Sequence, residues 1–201
     1  MTPIPYKMRA LSRGQQEFID ILNRSVITFC DGPAGCGKTH IPVAHAVELF
    51  RTRKHGTPGV KKIILCRPVV SASEEIGFLP GSLHEKLGPF MTPLVDELKY
   101  HFSIEVINQM IERGDIQVAH LGLIRGRSFI ETYVIVDEAQ NCTFKELRLV
   151  TTRIGHHSKM TICGDSTQSD LPFNPCLRDV ARELSKIEGV GFAQLTEDDI
   201  Q

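Results

Sequence analysis

Short apolar runs rich in β-branched residues alternate along this chain with longer segments in which apolar positions recur every three to four residues. The runs are "SVITFCD" (25–31), "KKIILCRPV" (61–69), "DIQVAHL" (115–121), "TYVIVDEA" (132–139), "KMTICGD" (159–165) and "VGFAQLT" (190–196). Most are continuously apolar rather than alternating, which predicts strands buried on both faces, as in a parallel sheet covered by helices. The helical period predicts helices over 13–23, 38–51, 83–100 (interrupted at Pro89 and Pro93), 103–113, 143–154 and 176–187. Strands and helices taken in turn assign the α/β class with a mainly parallel central sheet. Thr143 and Glu146 have capping-box spacing, and Gly155 is expected to close the same helix with a left-handed cap. Residues 51–62 form a polar, basic connection, and 69–82 a loop-like stretch long enough to suggest a functional role. With no repeat, low-complexity tract or linker, one domain over residues 1–201 is expected.

Composition narrows the function classes modestly. The 201 residues carry 23 Lys and Arg against 24 Asp and Glu, so no global basic field announces nucleic acid, although a local patch fits inside a neutral sum. No stretch approaches the roughly 18 consecutive apolar residues of a membrane span. The first residues, "MTPIPYKMRALSRGQ", lack the apolar core of a secretory signal, so a cytoplasmic compartment is expected. The cysteines at 30, 36, 66, 142, 163 and 176 include no CxxC pair, and buried free thiols are the expectation. No HExxH spacing is present, and His156 and His157 read as surface or capping residues beside Gly155.

The chemistry enters with "FCDGPAGCGKTHIP". Gly32-Pro33-Ala34-Gly35-Cys36-Gly37-Lys38-Thr39 satisfies GxxxxGK[ST] at every fixed position, between an apolar strand and an amphipathic helix. Glycines let the backbone turn tightly and aim N–H groups at phosphate oxygens, at a helix N-terminus whose partial charge favours anions. Lys38 is expected to reach the β and γ phosphates, and the Thr39 hydroxyl to ligate Mg²⁺. The alternative is a glycine turn that only joins strand to helix.

A phosphate loop of this kind needs a carboxylate for Mg²⁺ at the end of a neighbouring strand. Asp137 follows four apolar residues, Tyr133 to Val136, and is assigned to the metal with Thr39; Glu138 is placed toward the γ-phosphate as the base that positions water. Otherwise the two acids only open the next helix, a role Thr143 already fills. A third strand end, "TICGDSTQSDLP", offers Asp165 and Gln168, either a γ-phosphate contact or a polar turn.

With these residues in place, the chain resembles the PhoH-like family of phosphate-loop ATPases, whose domain is similar to the first RecA-like motor domain of superfamily-one helicases. The resemblance rests on "GPAGCGKT", "RPVVSASEEIGFLPGSLHEKLGPFMTPLVDEL", "IERGDIQVAHLGLIRGRSF", "VIVDEAQN" and "TRIGHHSKMTICGDSTQSDLP" with the following "LRDV", nearly the whole sequence. It implies a three-layer RecA-like P-loop NTPase fold and an ATPase using ATP and Mg²⁺, with Lys38, Glu138 and Gln168 in catalysis. Nucleotide contacts fall on Gln15, Gly32, Pro33, Ala34, Gly35, Cys36, Gly37, Lys38, Thr39 and His40, with Gln15 reading adenine.

The resemblance also implies RNA or single-stranded DNA as effector, touched by Arg67, Ser71 and Ser73; the competing reading of Arg67 is an internal salt bridge to Glu74 or Glu75. Arg125 and Arg127 are nucleic-acid contacts or arginines reaching a neighbour's γ-phosphate. Cys36 stands where relatives usually carry Thr or Ser, and an accessible, oxidation-sensitive thiol is expected there. The family pattern continues past "TEDDIQ" into an arginine-containing segment that these residues do not include. The expectation is a homo-oligomer, a ring such as a hexamer, in which Arg125, Arg127, Arg153 or Arg178 completes a neighbour's site. Two alternatives stand beside the ATPase: a nucleotide-dependent binding switch with negligible turnover, and a nucleotide kinase, which would need an arginine-rich lid.

Overall fold

A computed structural model describes residues 8–53, 56, 58–68, 92–124, 126–169 and 177–201. The described strands are β1 (Ile27–Asp31), β2 (Lys62–Arg67), β3 (Ile116–His120), β4 (Thr132–Val136), β5 (Lys159–Gly164) and β6 (Val190–Gln194), each inside its predicted run. They form one sheet in the order β3-β2-β4-β5-β1-β6, and every pairing is parallel. Parallel neighbours demand long crossovers, which the helices supply. These are α1 (Arg13–Arg24), α2 (His40–Thr52), α3 (Ile104–Arg113), α4 (Phe144–Thr151) and α5 (Leu177–Leu184), with a further helical stretch over 92–99.

Alternation along the strands makes the three layers. Ile63 and Leu65 of β2 and Tyr133 and Ile135 of β4 pack with Val43 and Val47 of α2, Leu94 and Leu98, and Ile107 and Met110 of α3. Their strand neighbours Ile64, Cys66, Val134 and Val136 face the other way, onto Leu147 and Val150 of α4 and Leu177 and Val180 of α5. A strand clothed on both faces has no polar side to show, which is why β4 is buried at all five positions while the edge strands β3 and β6 are only partly so. A third cluster seats α1 through Phe18, Ile19 and Leu22 against Cys30, Cys163 and Leu195.

Helix ends agree with their local chemistry, with one correction. Ser12 caps α1 by accepting from Gln15 N at 3.1 Å, Gly114 closes α3 in the left-handed region, and Thr143 with Glu146 forms the predicted capping box. Helix α4, however, stops at Thr151 with Thr152 as its cap, and Gly155 is not left-handed. Gly155 serves close approach instead: its N–H donates to Phe129 O at 2.7 Å, and a Cβ there would lie 2.6 Å from that same oxygen. No described helix is long and apolar enough to cross a membrane.

Candidate nucleotide site

The site is built at the carboxyl ends of the strands, where α/β sheets bind ligands. The loop after β1 needs φ +81° at Gly35 and +87° at Gly37, values that side chains with a Cβ adopt only with strain. It is tied to the body at several points. Gly32 N donates to Gly164 O (3.1 Å), Gln15 Nε2 to Cys36 O (3.1 Å) and the Cys163 thiol to Lys38 O (2.9 Å). Lys38 Nζ curls back to Pro33 O at 3.1 Å, which closes a ring of the loop's own atoms. The Cys36 side chain overturns the expectation of an accessible thiol. It is 0% exposed, packed beneath the loop with Ile41 and Cys163, and burial pushes its thiol up from its ordinary range.

Register brings the next group alongside. Cys66 pairs with Val136, so Arg67 and Asp137, one residue further on each strand, lie side by side. Asp137 is 1% exposed and a carboxylate so placed requires partners. It accepts from Thr39 Oγ1 at 2.7 Å through Oδ1, and from Arg67 Nε at 2.9 Å and Nη2 at 2.6 Å through Oδ2. The internal ion pair of Arg67 is therefore made with Asp137; Glu74 and Glu75 lie outside the described residues, as do Ser71, Ser73 and Arg125. Glu138 follows in the left-handed region at φ 54°, an uncommon backbone for a residue with a Cβ. Its Oε1 is 3.6 Å from Arg67 Nη2, and its Oε2 accepts from Gln140 Nε2 at 2.7 Å.

At the end of β5, Asp165 gathers its own turn. Thr167 donates to Oδ1 through N (3.0 Å) and Oγ1 (2.6 Å), and Gln168 Nε2 donates to Oδ2 at 2.9 Å. The same turn is held to β1 by Asp31, which accepts from Ser166 N at 2.7 Å and from Arg178 Nε at 2.7 Å. Of the arginines assigned to a neighbour's site, Arg178 is thus committed to an internal pair and Arg127 donates to Gln117 Oε1 at 2.8 Å. Arg153 has its Nε buried beside the α4 end.

A cleft of about 450 Å³ runs from Gln15 past Gly37, Lys38 and Thr39 to His40, Glu97 and Tyr100. His40 Nδ1 lies 2.8 Å from Glu97 Oε2, with the Tyr100 ring edge-on at 5.4 Å. Gln15 is buried at the cleft's inner wall, and both amide hydrogens and one oxygen lone pair are engaged: Oε1 accepts from Leu11 N (2.8 Å), while Nε2 donates to Cys36 O and to Asp199 O (3.2 Å).

The sequence model of the PhoH-like protein family matches residues 7–201, the loop and all three strand ends included. The chain belongs to this family. It is 42% identical over 195 residues to a PhoH-like protein of Synechocystis, covering 96% of this chain but 58% of that one, so it spans little more than half of that relative's length. In structure it is similar to the large terminase of a thermophilic bacteriophage, with a TM-score of 0.56 at 14% identity over 95% of this chain and 47% of that one. A helicase domain of Pyrococcus furiosus Hef superposes with a TM-score of 0.54 at 13% identity, covering 92% of this chain and 38% of that one. The parallel six-stranded sheet, its phosphate loop and these likenesses identify a three-layer, RecA-like P-loop NTPase fold.

The residues present suit Mg²⁺. A hydroxyl and a nearly inaccessible carboxylate meet at 2.7 Å beside the loop lysine, which is the hard-oxygen donor set this ion takes together with phosphate and water. Two members of the site had weak sequence signals. Neither is singled out by the sequence pattern: Asp31 is simply an acid ending an apolar strand, and Gln140 an amide two residues beyond an acid pair.

Proposed function

We propose that this chain binds ATP with Mg²⁺ and hydrolyses it, and that RNA or single-stranded DNA acts as its effector. The observation that carries the reading is the 2.7 Å contact between Thr39 Oγ1 and Asp137 Oδ1, because it joins the phosphate loop to the acidic strand end. Loop N–H groups and Lys38 hold the phosphates, Lys38 exchanging its Pro33 contact for them. Gln15 borders the adenine end and sets its shape through Cys36 and Asp199. His40 forms the opposite wall. Thr39 and Asp137 would hold Mg²⁺, which would supply neutralisation of phosphate charge. Glu138 orients the attacking water and accepts its proton, and Gln168 turns from Asp165 to the γ-phosphate.

The nucleic-acid effector and a ring of like subunits rest on the family resemblance. A second reading, an ATP-dependent binding switch with negligible turnover, draws on the engagement of Asp137 by Arg67 and of Gln168 by Asp165. Steady-state ATP turnover with and without single-stranded RNA or DNA separates them. Lys38→Ala is expected to abolish ATP binding, and Glu138→Gln to retain binding while losing roughly 10²- to 10⁴-fold in turnover. Undiminished turnover in Glu138→Gln would remove the base, and ATP binding without turnover in the unaltered protein would select the switch.

A further inference from the structure

Among the described residues, the carboxylate assigned to the water meets two groups: Arg67 Nη2 lies 3.6 Å from Oε1, and Gln140 Nε2 lies 2.7 Å from Oε2. Glu138 stands on a strained left-handed residue, and its side chain is 40% exposed. Exposure on that scale leaves a carboxylate free to rotate unless a fixed donor restrains it. The hydrogen-bond donor is Gln140, a residue 4% exposed whose amide is used at both ends, whereas Arg67 at 3.6 Å lies beyond hydrogen-bond distance and donates to Asp137. Nε2 donates to Glu138 Oε2 at 2.7 Å, and Oε1 accepts from Asp165 N at 3.0 Å. Ser169 Oγ donates to the Gln140 backbone oxygen at 3.0 Å, which holds the residue from a third side.

The strand beneath is shaped for this amide. A Cβ on Gly164 would lie 2.7 Å from Gln140 Oε1 and 2.9 Å from its backbone nitrogen, so the bridge exists because β5 ends in glycine. On the far side of the bridge, Asp165 binds Gln168 Nε2. One continuous hydrogen-bonded chain, Glu138–Gln140–Asp165–Gln168, therefore links the ends of β4 and β5.

We propose that Gln140 is the positioning residue for Glu138, holding its carboxylate by donation to Oε2 and tying that placement to the β5 turn that carries Gln168. Gln140 never touches the reacting atoms. It acts by keeping the base in the one orientation from which water can be aligned, where a displacement of about 1 Å costs on the order of 10²-fold in rate. When Gln168 leaves Asp165 for a γ-phosphate, the change is transmitted to Glu138 through the Asp165 N–H and the amide. The proposal rests on the hydrolysis reading above.

Gln140→Glu is the informative variant, since it keeps the shape and can still accept from Asp165 N but offers Glu138 no donor. The expected result is a loss in kcat of the order of 10²-fold with KM and ATP-analogue binding unchanged. In a Glu138→Gln background the same change should cost less than about twofold, because the group it acts through is already gone. A full multiplicative loss in that background, or a rise in KM matching the fall in kcat, would make Gln140 a merely structural residue and overturn the proposal. Gln140→Leu, which removes both bonds, should lose activity to a similar extent. A readout independent of turnover is hydrogen exchange at the Asp165 amide, expected to quicken several-fold in Glu138→Ala as the amide loses its anchor; unchanged protection overturns the bridge. If the unaltered protein shows no turnover while that response holds, hydrolysis fails and the bridge stands.

Discussion

Arg67 Nη2 lies 2.6 Å from Asp137 Oδ2, and the opposite oxygen of the same carboxylate takes the Thr39 hydroxyl at 2.7 Å. A guanidinium thus balances the carboxylate that Mg²⁺ would otherwise attract. Breaking a buried pair leaves an uncompensated charge, at a cost of about 3 kcal/mol. Arg67→Ala should accordingly melt well below the unaltered protein in chelator, and the gap should narrow when Mg²⁺ and ADP are supplied. Thermal unfolding under the two conditions decides it, and an equal gap in both would mean that arginine and metal do not share Asp137.

Gln15 braces the loop in the structure and is proposed to read adenine, and one substitution can separate the two. Gln15→Ala removes three hydrogen bonds around the loop and the Asp199 turn, worth about 2 kcal/mol together once solvation of the freed groups is allowed for. The melting temperature should fall, and discrimination of ATP over GTP should weaken in a competition assay. Loss of stability with full adenine preference would assign the residue to architecture alone.

Acid sensitivity should come from two histidines. Burial, and then Lys159, lowers the His45 pKa from 6.5 to about 4; burial, His40 and Arg51 lower that of His101 to about 4. The folded protein therefore binds fewer protons than the unfolded chain across this window. Stability is complete above the ordinary value and declines as pH falls from 6.5 toward 4, by about 3 kcal/mol for His45. His45→Gln, which retains a polar partner for the Tyr133 hydroxyl, should flatten the fall in urea midpoint between pH 7 and pH 4.5. An undiminished slope would place the acid sensitivity elsewhere.

Cys36 should be inert while the protein is folded. It has no exposed surface, and desolvation disfavours its thiolate. Mass-spectrometric mapping after maleimide treatment should find Cys36 unmodified in buffer and modified in urea. Modification in buffer at the rate of a free thiol would show that the loop opens.

Arg178 should behave as a brace. Its pair with Asp31, itself 0% exposed, holds α5 to the end of β1. Arg178→Ala should destabilise by about 3 kcal/mol, and combining it with Asp31→Ala should cost less than the two separately. Rescue of turnover by mixing with Lys38→Ala subunits, which supply an intact Arg178, would instead favour a role across a subunit boundary.

Continuous apolar runs could be read as strands because burial on both faces leaves no polar alternation, and "GPAGCGKT" named its chemistry because few sequences can turn that tightly around phosphate. Thr39, Asp137 and Glu138 were legible for the same reason: each follows a local pattern at a fixed distance from a strand end. Strand order and register are different in kind. They place Arg67 beside Asp137, residues 70 positions apart, and Arg178 beside Asp31 across 147. No local pattern encodes such pairs, since they follow from which strands lie next to one another and which helix packs across them. Even Gly155, placed by spacing at a helix end, took its role from the close approach of Phe129. Cys36 was misjudged because its loop position says nothing about what packs beneath it. Local sequence determined the elements and the phosphate loop, where the physics is backbone geometry and burial. Tertiary structure alone decided which charges neutralise the site and, through the bond from Asp165 N to Gln140, what fixes the amide that meets Glu138.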